Sequence, residues 1–174
     1  SHRAGEPVEH LQPVISPDGK YLAFISSAHN VPSSVHILKR DDKNEFTVEA
    51  AHISLPTDTF GVEHIAWSTD SKTLAFNLIK FWRYFYQYSD LQFYDLEKQK
   101  ITQKTFGARV GDILFAQDDK GVYFVQNIPG SKQLAYFDLT AQKIRVLYTP
   151  QRLGTNMWSL AYRSGSILFI EQNS

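Results

Sequence analysis

The sequence predicts an all-β chain, a β-propeller fragment of about three and a half four-stranded blades. Two observations carry this. A strand–turn–strand pattern recurs four times, and its closing phenylalanines, Phe24, Phe76, Phe124 and Phe169, lie 45 to 52 residues apart. A second strand–turn–strand pattern follows each of the first three. Repeats of this length mark solenoids and propellers. β-branched, alternating segments broken by frequent turns favour strands over helices.

The first copy runs through Val14-Ile15-Ser16-Pro17-Asp18-Gly19-Lys20-Tyr21-Leu22-Ala23-Phe24. An apolar strand ends at a tight turn and a second apolar strand begins. Proline presets φ, Asp bonds the following amides, and glycine takes positive φ without strain. The second copy closes on Leu74-Ala75-Phe76 and the third on Val122-Tyr123-Phe124. Their turns, Asp70-Ser71 and Asp118-Asp119, use residues less suited to positive φ. The fourth copy, Leu160-Ala161-Tyr162-Arg163-Ser164-Gly165-Ser166-Ile167-Leu168-Phe169, is one residue shorter.

The second pattern pairs Leu91-Gln92-Phe93-Tyr94-Asp95-Leu96 with Leu134-Ala135-Tyr136-Phe137-Asp138-Leu139, and more weakly with Val35-His36-Ile37-Leu38-Lys39-Arg40. Each is a strand, a polar turn and an outer strand. The predicted blades span about 10–55, 61–107 and 108–150, with a half blade at 156–172. Closed propellers have about four to eight blades. Open blade faces are apolar, which predicts self-association, most simply as a two-fold dimer.

Ser16-Pro17-Asp18-Gly19-Lys20-Tyr21-Leu22-Ala23-Phe24 resembles the TolB-type (PD40, WD40-like) β-propeller repeat, and the likeness extends from about His10 to Gln172. The Gly-His and Trp-Asp pairs of WD40 repeats proper are missing. The resemblance implies a propeller and leaves its use open among three groups. TolB is a periplasmic propeller that binds a protein partner. ToxR-like and CadC-like membrane transcriptional regulators carry such repeats in a periplasmic sensor part. Prolyl-oligopeptidase-type serine peptidases use a related propeller as a lid. The favoured expectation is a non-enzymatic, periplasmic binding or sensing module, with the peptidase lid as the alternative.

Composition narrows the chemistry. The chain has 174 residues, with 18 basic residues balancing 18 acidic ones, so no basic field points to direct nucleic-acid contact. Cysteine is absent, which removes disulfides and thiolate catalysis. No apolar run approaches the ~20 residues that span a bilayer. Ser1-His2 reads as a tag remnant, so any membrane attachment is expected through a segment outside these residues.

No catalytic residue, metal ligand set or cofactor site is expected. Gly-x-Ser-x-Gly is absent, and Ser164-Gly165-Ser166 falls in a repeat turn. The six histidines, at 2, 10, 29, 36, 52 and 64, show no metal-ligand spacing. Asp18, Asp70 and Asp118 recur at turn positions, either bonding their own turns or ringing one face for a cation or basic partner. The first reading is favoured.

One segment stands apart. In Phe81-Trp82-Arg83-Tyr84-Phe85-Tyr86-Gln87-Tyr88, six of eight residues are aromatic. The matching connection in the next repeat, Asn127-Ile128-Pro129-Gly130-Ser131-Lys132, is polar. Phe81, Trp82, Arg83, Tyr84, Phe85, Tyr86 and Tyr88 are therefore the candidate interaction surface for a protein partner or small ligand. Tyr, Trp and Arg dominate interface hot spots. A long strand pair with alternate rings in the core is the equal alternative. Trp67 is expected in the core, and Met157 beside Trp158 on a partner or a further blade.

Overall fold

The computed structural model describes residues 8–28, 31–56, 58–82 and 86–172. They form three four-stranded antiparallel sheets and one two-stranded sheet, each laid out in sequence order. The first sheet holds β1 (Val8–Ile15), β2 (Tyr21–Ala28), β3 (Val31–Arg40) and β4 (Phe46–Ile53). The second holds β5 (Thr59–Trp67), β6 (Thr73–Trp82), β7 (Tyr86–Asp95) and β8 (Lys100–Gln103). The third holds β9 (Val110–Phe115), β10 (Gly121–Ile128), β11 (Ser131–Asp138) and β12 (Lys143–Tyr148). β13 (Asn156–Arg163) and β14 (Ser166–Gln172) form the last pair. This is a partial β-propeller, as the repeat predicts.

The sheets stack face to face, with first strands β1, β5, β9 and β13 successively in contact. Two-sided burial follows for the middle sheet. Leu74 through Ile79 of β6 are all buried, so the usual alternation of exposure vanishes there. Leu74, Phe76 and Leu78 pack with Ala23, Ile25, Val35 and Ile37 of the first sheet. On the opposite side Ala75, Leu91 and Phe93 pack with Val110, Phe115 and Phe124 of the third. Each such large side chain contributes about 1.5–3 kcal/mol of burial. Trp67 is core, as expected, and its indole N–H donates to the Val14 carbonyl of the neighbouring blade at 3.1 Å. Met157 corrects an expectation. It is buried against Val125 and Leu134 of the third sheet rather than reserved for a partner, because β13 packs directly on that sheet.

Polar staples fix how each sheet meets the next. Every first strand carries a register shift, the mark of a β-bulge. Buried Asn77 fills the one in β5, its Oδ1 accepting the N–H groups of Glu63 and His64. Its Nδ2 donates to the Val110 carbonyl of the third sheet. Ser33 reaches from the first sheet to the second, accepting from Val62 N–H and donating to Val62 C=O. Gly61 makes that approach possible, since a Cβ there would lie 2.2 Å from the Ser33 hydroxyl oxygen.

The repeat turns form a second set of staples at the opposite end of the strands. Asp18 and Asp70 each accept a hydroxyl from the Ser two residues earlier and an amide from the Lys two residues later. Asp118 likewise accepts from Lys120 N–H. These carboxylates thus bond their own turns. The next position is left-handed in all three copies: Gly19 at φ 71°, Ser71 at 62° and Asp119 at 51°. The two non-glycine residues reach back to the preceding blade. Ser71 Oγ accepts the Asp18 amide at 3.0 Å. Asp119 accepts the amides of Thr69 and Asp70 and the Thr69 hydroxyl. Residues poorly suited to the turn are there for the neighbouring blade.

That trade can be measured. Asp119→Gly suits the positive φ, which is worth about 1–2 kcal/mol against an L side chain, but removes three charge-assisted bonds worth more together. Urea unfolding is expected to show a net loss of about 1 kcal/mol; a gain would mean that strain outweighs the link. The Ser16 and Ser68 hydroxyls hold the Asp18 and Asp70 carboxyls below their ordinary values. Their stabilisation is therefore complete above the usual carboxylate range and lost as pH falls through the lowered values. The urea midpoint should drop in that acid range, and less so in an Asp18→Asn, Asp70→Asn variant.

Candidate binding site

The second blade's hairpin is the longest regular ribbon in the fold. β6 and β7 pair without a register break from Thr73↔Asp95 to Trp82↔Tyr86. The corresponding β10–β11 hairpin ends at Ile128↔Ser131. Phe81 and Trp82 thus end one strand, and Tyr86, Gln87 and Tyr88 begin the next. The Trp82↔Tyr86 pair lies at the end of the blades opposite the repeat turns, where the blade-to-blade connections also run.

Of the predicted surface, Phe81 is 47 % exposed and Tyr88 is half-buried. Trp82 and Tyr86 enter as paired backbone. Arg83, Tyr84 and Phe85 lie outside the described residues. Phe81 meets Phe60 edge to plane, with ring centroids 5.5 Å apart. The Arg109 guanidinium sits 5.7 Å from the Tyr88 ring centre. Lys80 pairs across the ladder with Tyr88.

Asp58, Lys80, Phe81, Tyr88, Asp90, Phe106 and Gly107 line a cleft of about 400 Å³. Its lining sets the rings of Phe81, Tyr88 and Phe106 beside the charged groups of Asp58, Lys80 and Asp90. Asp90 accepts the Thr105 hydroxyl and the Ala108 amide on one oxygen, and the Gly107 amide on the other. Thr105 in turn accepts the Leu91 amide. This pins the β8–β9 connection against the hairpin and holds Phe106 out in solvent at 83 % exposure. The equivalent β12–β13 connection presents Leu153 at 85 %. Large apolar side chains held this far into water mark contact surfaces when they cluster.

Three of these residues were missed by sequence reasoning. Phe60 and Phe106 lie outside the two strand–turn–strand patterns of each repeat, and Asp90 lies in no motif. The signal that could have found the two phenylalanines was the recurrence of Thr-Phe-Gly, as Thr59-Phe60-Gly61 and Thr105-Phe106-Gly107, at the entry to the second and third blades. A histidine row also escaped. Strand register aligns Phe24, His36 and His52 across β2, β3 and β4, and His10 on β1 meets Phe24 from the diagonal position, with neighbouring ring centroids 4.4–5.3 Å apart. Among the described residues no group of three or more His, Asp or Glu is arranged to hold a metal ion. Ser164 and Gly165 form the β13–β14 hairpin turn, both at positive φ.

No family model and no curated protein matches the sequence. Solved structures do match in shape. TolB from Acinetobacter baumannii superposes with a TM-score of 0.62 at 16 % identity, over 97 % of this chain and 41 % of that one. The fold is a TolB-like β-propeller. Pyrococcus horikoshii acylaminoacyl peptidase gives 0.63 at 13 % identity, over 94 % of this chain and 28 % of that one. The Pseudomonas aeruginosa periplasmic gluconolactonase gives 0.59 at 14 %, over 92 % and 49 %. This TolB-like chain spans less than half the length of each of the three.

The Asp90 anchor predicts its own test. Asp90→Ala leaves three donors without their acceptor and is expected to cost about 2 kcal/mol in urea unfolding. Asp90→Asn, which keeps one acceptor oxygen, should fall between. In backbone relaxation measurements residues 104–108 should loosen in the Ala variant while β10 stays unchanged.

Proposed function

We propose that this TolB-like propeller is a non-enzymatic module that binds a protein or small ligand through the end carrying the β6–β7 hairpin. The cleft between Phe81, Tyr88 and Phe106 carries the reading, because the fold anchors its rim by hydrogen bonds while leaving apolar rings in water. Rigid aromatic contact area at low entropic cost is what recognition surfaces use. The likeness to TolB, together with the periplasmic neighbour, supports a periplasmic setting. In that setting the module serves as a TolB-like interaction propeller or as the sensor part of a ToxR-like or CadC-like regulator.

The same reading includes weak self-association through the outer blade faces, where Ile15, Leu168 and Ile170 are about half exposed. A peptidase-lid role rests on fold likeness alone, and fold does not fix function.

A photoreactive amino acid placed at Phe106, and separately at Val48 on the outer strand β4, tests the surface in cells producing the full-length protein. A discrete cross-linked species is expected from position 106, absent from 48, and lost when Phe81→Ser is added. Equal yields from both positions contradict the reading. The purified chain should turn over no peptide, ester or phosphate substrate; activity that survives repurification contradicts the non-enzymatic part.

A further inference from the structure

We propose that the outer edge of β7, from Gln87 to Ser89, receives an extended segment of a partner protein as an added β-strand, with an apolar side chain of that segment in the adjoining cleft. The inference rests on the reading of the hairpin end as a binding surface and specifies how it binds.

Backbone direction follows from two hydrogen bonds. The Leu91 N–H donates to Thr105 Oγ1, and the Leu91 C=O accepts from Lys104 N–H. Leu91 therefore points its main-chain groups away from β6. In an antiparallel ladder these groups alternate from one side to the other, and the β6–β7 register is unbroken here. Ser89 and Gln87 consequently aim their N–H and C=O groups at the same outer edge. Among the described residues no strand meets them there. β8 pairs β7 only from Gln92 to Asp95, and the chain then turns off toward the third blade, tied down by Asp90. β8 has four residues, where its counterparts β4 and β12 have eight and six.

Free edges of this kind are usually blunted by Lys, Pro or a bulge. Gln87, Tyr88 and Ser89 supply none of these. Gln87 is exposed and Ser89 half-buried. Beside the edge lies the cleft, with the rings of Phe81, Tyr88 and Phe106 and with Asp58 and Lys80 in its lining; Asp90 is taken up by its three hydrogen bonds, and Lys80 makes no ion pair among the described residues. The match is an extended segment with one large apolar side chain and a carboxylate to meet Lys80. Strand addition of this type draws affinity from main-chain bonds and selectivity from a neighbouring pocket. A second copy fits less well. Antiparallel pairing of two β7 strands about Tyr88 brings both copies' Arg109, each beside its own Tyr88 ring, near one axis, where like charges repel.

The test uses random linear peptides displayed on phage, panned against the full chain, with the best binder then synthesised. Its affinity is read by fluorescence anisotropy in unmodified form and with backbone N-methylation at alternate residues. Methylation in one phase should weaken binding about 10-fold or more, the loss of one to two hydrogen bonds, and in the other phase little. Ser89→Pro, which removes an outward N–H, and Phe106→Ala should each weaken it comparably. Because the methylation arms use unaltered protein, they hold even where Ser89→Pro disturbs folding. Indifference to methylation in both phases overturns strand addition. If Phe106→Ala still weakens such a peptide, the hairpin-end surface stands and only the strand falls; if it does not, both fall. Failure to enrich any binder overturns the proposal. So does a dimer, seen by sedimentation, that Ser89→Pro dissociates.

Discussion

The second and third sheets of this molecule each have two apolar faces, and each face is dry only while the next sheet covers it. That constraint organises the rest. The middle blade shows it most fully, with Phe76 and Leu78 turned one way and Ala75 and Phe93 the other, all buried. Apolar burial has no direction of its own, so the relative placement of sheets falls to hydrogen bonds that cross between them. Ser33, Asn77, Ser71 and Asp119 make those bonds, at opposite ends of the strands. Each crosses at a point where the backbone is already irregular, a bulge or a left-handed turn residue. Irregular backbone leaves amides without ladder partners, and those amides are what the staples satisfy.

The hairpin end inherits its rigidity from this stack. β6 is gripped on both faces as far as Ile79, and only then does it run out beyond the blade with β7. The cleft lies just past that point. Its lining comes from the hairpin, from the approach to β5 and from the β8–β9 connection, segments whose spacing the blade stack sets. Asp90 completes the arrangement by fastening the connection. The result is an aromatic surface that has already lost much of its freedom before any ligand arrives, the condition under which modest area gives useful affinity.

Much of the fold was legible because the repeat is local. Strand alternation, the Pro17-Asp18-Gly19 turn and the recurring phenylalanines need nothing beyond about a dozen neighbouring residues to be recognised. What escaped depends on partners about 30–50 residues away. Ser71 and Asp119 look like poor turn residues until the preceding blade's amides are placed against them. Met157 looked available to an outside partner because β13 had no visible face to pack on. His36 and His52 become neighbours only through strand register. The site was half legible: the aromatic density at 81–88 marked the hairpin, whereas Asp90 carries no pattern, and the short Thr-Phe-Gly echo around Phe60 and Phe106 gains meaning only once the chain is folded.

A blade stack that unfolds as one unit, with one strand edge held open beside it, makes a claim in two halves. Amide hydrogen exchange followed by nuclear magnetic resonance on the free chain reads both halves of that claim at once. Phe76 and Phe124, on the central strands of two different blades, should exchange slowly and at a common free energy, that of global unfolding. Gln87 and Ser89, one ladder step beyond the covered edge, should exchange orders of magnitude faster while Lys80 and Leu78 beside them stay protected. Protection of Gln87 and Ser89 equal to that of Phe76 would contradict the open edge, and widely different values for Phe76 and Phe124 would contradict the cooperative stack.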